Sequence, residues 1–389
     1  MSKTLRLTCL LLICALLVSC STPLAPVKSP PAVTQRERPL DGYDDRLLDA
    51  LARVVGQPDL PSSERVVVVT SPKIELMFLA AGLASGWHLM SGNLPAASTS
   101  LRESALEQVR AVRRHEAVSH LSQLYRTGFW YDALPKLALA FSDPPALEQV
   151  YPICDYLRGR SRGGEQDLRD FMTRLRDFAL AADWDAWWRD HQAQYAKVEE
   201  HCRMVYASLD PLGQLEGYFG ERLEALVIIP SAMISCGFGG TIDDPLGAWA
   251  INCFGPATPG ALPDASFLES IVLHEGGHAF VNHHALENPE LVARYAHLYS
   301  PIRAEMQQQA YGNWLSALCE HVLRACHARI YLQRKGEAAA EQMLKNDEGR
   351  GFQYVRALYE KLAEYEADRE RYPDFGSFYA ELLTALEGL

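Results

Sequence analysis

Residues 271–280 of this chain read IVLHEGGHAF, so His274, Glu275 and His278 form an H-E-x-x-H arrangement. On a helix, residues four apart lie one turn above each other on one face. Two imidazoles so placed grip a single Zn2+, and the Glu after the first His stands beside the metal without binding it. From there it takes a proton from a water activated by the ion. The chemistry implied is metal-dependent hydrolysis. The motif is short, and its surroundings add weight. Ile271, Val272 and Leu273 precede it and Ala279, Phe280 and Val281 follow. The helix is therefore expected to be buried, where a Glu between two His is costly without a partner. A metal and its water supply that partner. The plainer alternative is a core helix whose His side chains bond to backbone carbonyls. Gly276 and Gly277 each cost a helix interior about 1 kcal/mol relative to Ala. Two explanations fit equally: a neighbouring element or substrate approaches the backbone there, or the helix is simply packed tightly.

A catalytic zinc keeps three protein ligands and one open position. The best third ligand is Glu320, in NWLSALCEHVLRACHARIYL. Asn313 is an N-cap, Leu315, Leu318, Val322 and Ala325 recur at helical spacing, and Gly336 ends the helix. Glu320 falls among Leu318, Cys319, Val322 and Leu323, a poor place for a solvated carboxylate, and Arg324 four residues on is placed to orient it. The rivals are Glu305, in a polar run that reads as a solvated face, and His283 and His284, which point away from the metal if they continue the motif helix. Hydrolysis also needs a group that stabilises an oxyanion. Tyr311 is the candidate, with His283 or His284 as alternatives.

The elements that must position these residues are mostly helical. Val66 to Thr70 reads as a strand, Ile74 to Ser85 as a helix, and 101–126 and 165–207 show helical spacing. The aromatics Phe171, Phe178, Trp184, Trp187, Trp188 and Tyr195 are expected as core packing. Leu226 to Ser235 reads as a strand, with Pro230 favouring an edge or bulge. A loop rich in glycine, with Gly237, Gly239 and Gly240, leads to a further strand, Trp249 to Phe254, just before the motif. The result is an α+β fold with a small mixed sheet beside the H-E-x-x-H helix.

The chain has 389 residues and a formal net charge of -12. That balance argues against nucleic acid as a partner. Lys3 and Arg6 precede a short apolar run ending in Leu17-Val18-Ser19-Cys20, which resembles a bacterial lipobox. Residues 1–19 then form a lipoprotein signal peptide and Cys20 carries the lipid. Ser21, where an Asp would hold the chain at the inner membrane, points to the outer membrane of the cell envelope, facing the periplasm. Residues 20–45 are a Pro-rich tether. Residues 46–389 are long enough for one large domain or for a helical part, 46–210, and a metal-site part, 211–389. Beyond Cys20, six cysteines remain; Cys236 and Cys253 are the pair most expected to bridge, whereas Cys319 and Cys326 read as buried free thiols.

The order strand, glycine segment, strand, metal helix and later Glu-bearing helix resembles zincin metallopeptidases of the gluzincin type. More narrowly, SPKIELMFLAAGLA, DFALAADWDAWWRDHQAQY, LEGYFG, the motif helix and NWLSALCEHVLRA are similar to an uncharacterised bacterial family of secreted H-E-x-x-H proteins. The resemblance spans roughly residues 65–335 and is specific at the motif. It implies a zincin-like peptidase domain with His274, His278 and Glu320 on zinc, Glu275 as base, and a peptide or protein as substrate. The stretch from His278 to Glu320 departs from the best-known gluzincins in being longer. The reading is a lipid-anchored periplasmic zinc hydrolase. An alternative of another class is a surface lipoprotein that binds a partner or cell-wall ligand and uses zinc only for structure.

Overall fold

The computed structural model describes residues 45–85, 99–129, 132–234, 237–244, 247–255 and 262–389. The signal peptide, Cys20 and nearly all of the tether lie outside them. The described chain runs α1 (Arg46–Leu51), β1 (Val66–Val68), α2 (Pro72–Leu83), α3 (Ser100–Gln108), α4 (Glu116–Tyr125), α5 (Ala133–Leu139), α6 (Asp155–Arg158), α7 (Gly164–Ala181), α8 (Trp184–Leu209) and α9 (Pro211–Phe219). Strands β2 (Ala225–Pro230), β3 (Gly237–Asp244) and β4 (Gly247–Phe254) follow. The chain then continues through α10 (Ala265–Glu287), α11 (Pro289–Arg294), α12 (Tyr299–Gln308), α13 (Trp314–Lys335), α14 (Glu337–Glu348), α15 (Val355–Ala367) and α16 (Phe375–Leu383). It is α+β and mostly helical, with one small mixed sheet.

The strand order is β1-β2-β4-β3; β1, β2 and β4 are parallel, and β3 returns antiparallel to β4 at the edge. All six residues of β2 are buried. Such a continuous apolar run is what a parallel strand covered on both faces requires. Because side chains alternate across a strand, Val227 and Ile229 join one core with α2, α4, α5 and α7, while Leu226 and Ile228 join another with α10, α13, α15 and α16. The sheet is the wall between two cores. The first half of the chain supplies β1 to that wall, and Cys202 and Tyr206 of α8 reach the second core.

The structure departs from the sequence reading in four places. The Gly237–Gly240 segment is strand, not loop. β2 is an interior strand, and Pro230 is tolerated as its last residue. The 165–207 helix breaks at Asp183, which takes a left-handed conformation with φ of 49°. The 101–126 helix is likewise two, α3 and α4, around a short 3-10 turn. The aromatic stripe of α7 and α8 is core, as expected: Trp184, Trp187, Trp188 and Tyr195 are all buried. Cys253 carries a free thiol, and Cys236, its expected partner, lies outside the described residues. Cys319 and Cys326 are free and buried.

One buried carboxyl ties three elements together. Glu75 of α2 accepts from the backbone N–H of Ala232 at 3.1 Å, just past β2, and from the Tyr195 hydroxyl of α8 at 2.9 Å. Burial raises its pKa to about 7, against the pull of hydrogen bonds from Ser231, Tyr195 and Ala232. The unfolded carboxyl ionises near its ordinary 4.5. Between those two values the folded protein holds a proton that the unfolded chain has lost, so stability falls as pH rises. The loss for this one group is roughly 3 kcal/mol. Urea denaturation of wild type and Glu75→Gln at pH 5 and pH 8 checks this. The variant should gain on wild type at the higher pH; equal differences at both pH values would contradict it.

Candidate metal centre

Helix α10 starts cleanly because Asp264 caps it, its Oδ1 accepting from the Phe267 N–H at 2.9 Å. The helix then runs between the sheet and α13. Gly276 and Gly277 are where it is pressed hardest. A Cβ at Gly276 would stand 2.9 Å from Leu215 Cδ1 of α9 and 3.4 Å from Leu226 Cδ1 of β2; one at Gly277 would stand 2.5 Å from Leu323 Cδ1 of α13. Tight packing accounts for the paired glycines. Helix α13 begins at Asn313, whose Oδ1 accepts from the Ser316 N–H at 2.9 Å, and ends at Gly336 with φ of 82°.

The crossing of α10 and α13 brings His274, His278 and Glu320 together. One ligand atom from each lies within 4.8 Å of the others, and all three side chains are buried. His274 Nε2 stands 3.6 Å from Glu320 Oε2, and His278 Nε2 stands 3.2 Å from Glu320 Oε1. Neither Nε2 makes a hydrogen bond of good geometry. Burial pushes His274 down to about 4, more than the Glu320 carboxylate pulls it up. His274 is therefore neutral at pH 7, and its approach to Glu320 is not an ion pair. For His278, burial opposes the charge, but the hydrogen bond and field of Glu320 outweigh it and raise the pKa. Burial likewise opposes ionisation of Glu320, yet Arg324 and the two His hold its pKa well below the usual range.

Supports stand behind two of the three side chains. Arg324 reaches Glu320 Oε2 at 3.0 Å and Asp347 Oδ1 of α14 at 2.7 Å, with its guanidinium over the Phe352 ring at 4.1 Å. The Nδ1 of His278 pairs with the Asn282 side chain, 3.3 Å from its Oδ1. An Nδ1–H donated there leaves the Nε2 lone pair toward Glu320. Neutral imidazole nitrogens and an ionised carboxylate that share one buried point are the donor set of a divalent ion. The three residues thus fit a metal.

Glu275 follows His274 by one residue, about 100° around the helix. It faces the edge strand. Gly237 and Gly239 of β3 lie against α10, while Phe238 and Gly240 turn to the other face, Phe238 stacking on Phe78 of α2 at 5.6 Å. A Cβ at Gly239 would stand 2.5 Å from Glu275 Oε2 and 2.6 Å from the Glu275 carbonyl oxygen. Only a bare backbone lets β3 pass so close.

The other sequence candidates lie elsewhere. Glu305 is exposed on α12. His283 and His284 meet Glu221, on another side of α10. Tyr311 is fully buried and its phenol lies beside Arg324 without a hydrogen bond of good geometry, so it bears on the partner of Glu320; burial pushes the phenol well above its ordinary range. Two nearby residues escaped the sequence reading. Asn282 is four residues past His278, the spacing that lets it meet that ring. His327 of α13 is buried with its ring centroid 6.1 Å from that of His274, and its Nε2 has no hydrogen-bond partner among the described residues. Its spacing of seven from Glu320, two helical turns, was the available signal.

A family model described as Domain of unknown function (DUF4932) matches residues 105–385, and the chain belongs to that family. The match takes in both α10 and α13. No curated protein and no solved structure matches the chain.

Gly239→Ala is expected to force β3 and α10 apart, lowering stability by about 1–3 kcal/mol, the usual cost of overpacking. Gly217→Ala on α9, where a Cβ meets nothing within 4 Å, is the control and should be neutral or mildly stabilising. Denaturation midpoints of the two variants measure the difference. Equal midpoints would show that β3 does not need its bare backbone.

Proposed function

We propose that this protein is a zinc-dependent hydrolase with a zincin-like fold, acting on peptide bonds, with His274, His278 and Glu320 holding the ion. The observation that carries this reading is the buried convergence of the two Nε2 atoms and the Glu320 carboxylate, with Glu275 next to them but outside the ligand group. When bound, a zinc ion supplies Lewis acidity, lowering the pKa of a coordinated water toward 7. Glu275 takes the proton of the attacking water and delivers it to the leaving amine. Arg324 and Asn282 hold Glu320 and His278 in register. His327, beside His274, is better placed than Tyr311 to donate a hydrogen bond to a developing oxyanion. The edge strand β3, antiparallel to β4 and passing over Glu275, offers an extended peptide a backbone to pair with.

The lipobox ending at Cys20 supports a lipid anchor in the bacterial envelope, with the outer membrane facing the periplasm as the location. No helix among the described residues is long and apolar enough to cross a membrane. A second reading, a surface lipoprotein with a structural zinc, draws on the depth of the site: His274 is 2% exposed and Glu275 and His278 are 0% exposed.

Glu275 separates the two readings. Glu275→Gln keeps size and hydrogen bonding and loses basicity, so zinc should stay while cleavage of a peptide library falls by about 100-fold or more. Glu320→Ala should lose zinc, activity and stability together, and Glu305→Ala should lose none of them. Elemental analysis beside peptide cleavage in the three variants decides the matter. Unchanged cleavage in Glu275→Gln would remove the hydrolase and leave the structural zinc.

A further inference from the structure

The end of α10 carries a second set of donors that the proposed chemistry does not use. His283 and His284 turn their Nε2 atoms to the carboxylate of Glu221, at 3.4 and 2.7 Å. One ligand atom from each residue lies within 4.8 Å of the others. Glu221 follows Gly220, which closes α9 with φ of 70°. At about 100° per residue, His283 is half a turn around the helix from His274. The two groups therefore face opposite sides of α10 and share no residue.

Three features suit this group to a metal ion, which can replace the proton that Glu221 favours on His283. The first is the tautomer of His283. Its Nδ1–H donates to the Ala279 carbonyl at 3.1 Å. In the neutral ring the Nε2 lone pair then faces a carboxylate oxygen, an arrangement that repels unless a cation or proton lies between them. An Nδ1–H held by a backbone carbonyl is also the outer contact that metal-bound histidines make. The second is convergence. Adjacent helix residues normally diverge, yet these two rings lie 3.8 Å apart, centroid to centroid, with both Nε2 atoms on one carboxylate. The third is preorganisation on one side with access on the other. The His284 ring packs on Phe375 and Tyr379 at 5.7 and 5.6 Å, and Gly376 leaves room for it, since a Cβ there would stand 2.7 Å from Cε1. The His283 side chain is 40% exposed, so solvent can reach the group and complete a coordination shell.

We propose that Glu221, His283 and His284 form a second, solvent-facing site for a divalent transition-metal ion of the zinc type. Two imidazoles and one carboxylate select zinc-like ions over magnesium or calcium, which favour all-oxygen shells. The carboxylate is ready for the role. Burial works against its charge, but the two His outweigh that and hold its pKa at about 2. An ion here ties the α9–β2 connection to the end of the motif helix and, through the His284 ring, to α16. Exposure and the existing His–Glu contacts make the site weaker than the buried one.

The test uses the full chain in detergent, stripped of metal by a chelator and titrated with zinc, then with cobalt followed by its visible absorption. Wild type should bind two equivalents, the second more weakly. His283→Gln and Glu221→Gln should each weaken that second equivalent by more than the roughly 10–100-fold that loss of an outer partner costs. His274→Ala should remove the first equivalent and keep the second. Circular dichroism confirms that each variant is folded, and the exposed His283 makes His283→Gln the safest of them. One equivalent that His283→Gln abolishes and His274→Ala leaves untouched would sink the buried zinc and keep this site. A single equivalent that only His274→Ala removes, or a second equivalent indifferent to both His283→Gln and Glu221→Gln, would overturn the proposal.

Discussion

Three side chains whose free atoms repel or compete are buried around one point, and much of the second core serves to keep them there. His274 and His278 present ring nitrogens to the carboxylate of Glu320 in a place shielded from bulk solvent. A proton can satisfy one of these contacts, as the raised pKa of His278 indicates, but it leaves the neutral His274 facing an acceptor. A divalent ion satisfies all three at once. On this account the cost of burying the group is offset by metal binding, and binding and folding are coupled.

That constraint explains features that local structure alone does not. Both glycines of the motif lie where leucines of α9, β2 and α13 press on α10, so the helix is set close enough to α13 for Glu320 to reach the His pair. Arg324 is buried and shared between Glu320 and Asp347, which fixes the carboxylate and ties α14 to the site. A buried ion pair is weak evidence for stability in itself; here it holds the carboxylate that faces the two His side chains. The glycines of β3 let an edge strand lie against Glu275 where any side chain would collide with it. Edge strands are usually shielded or blunted, and one held over a candidate base by bare backbone is consistent with a role in placing an extended substrate.

How much of this the sequence disclosed follows from the kind of signal involved. The motif helix was legible because its spacing is chemical as well as helical. Glu320 was legible as a carboxylate in an apolar stripe, and Asn313 and Gly336 as the marks of helix ends. β3 was not, because glycine is the strongest local sign of a turn; what makes it a strand here is its pairing with β4, and what requires its glycines is the closeness of Glu275 on α10. The break at Asp183 was hidden by an apolar pattern that runs through it, with no Gly or Pro to mark it. Tyr311 was placed near the site by its position before α13, but its direction toward Arg324 depends on how α13 packs. Glu75 lay in an apolar run much as Glu320 does, yet no motif nearby drew attention to it, and its partners Tyr195 and Ala232 are distant in sequence.

The most direct test of the central claim is to see the ion. Crystals of the zinc-loaded protein, measured on both sides of the zinc absorption edge, give an anomalous difference map that locates zinc without reference to side chains. The account predicts a strong peak about 2.0–2.2 Å from Nε2 of His274, Nε2 of His278 and a carboxylate oxygen of Glu320, the usual zinc-to-nitrogen and zinc-to-oxygen distances. A map of the zinc-loaded protein with no peak among these three residues, or with the third protein ligand other than Glu320, would contradict it.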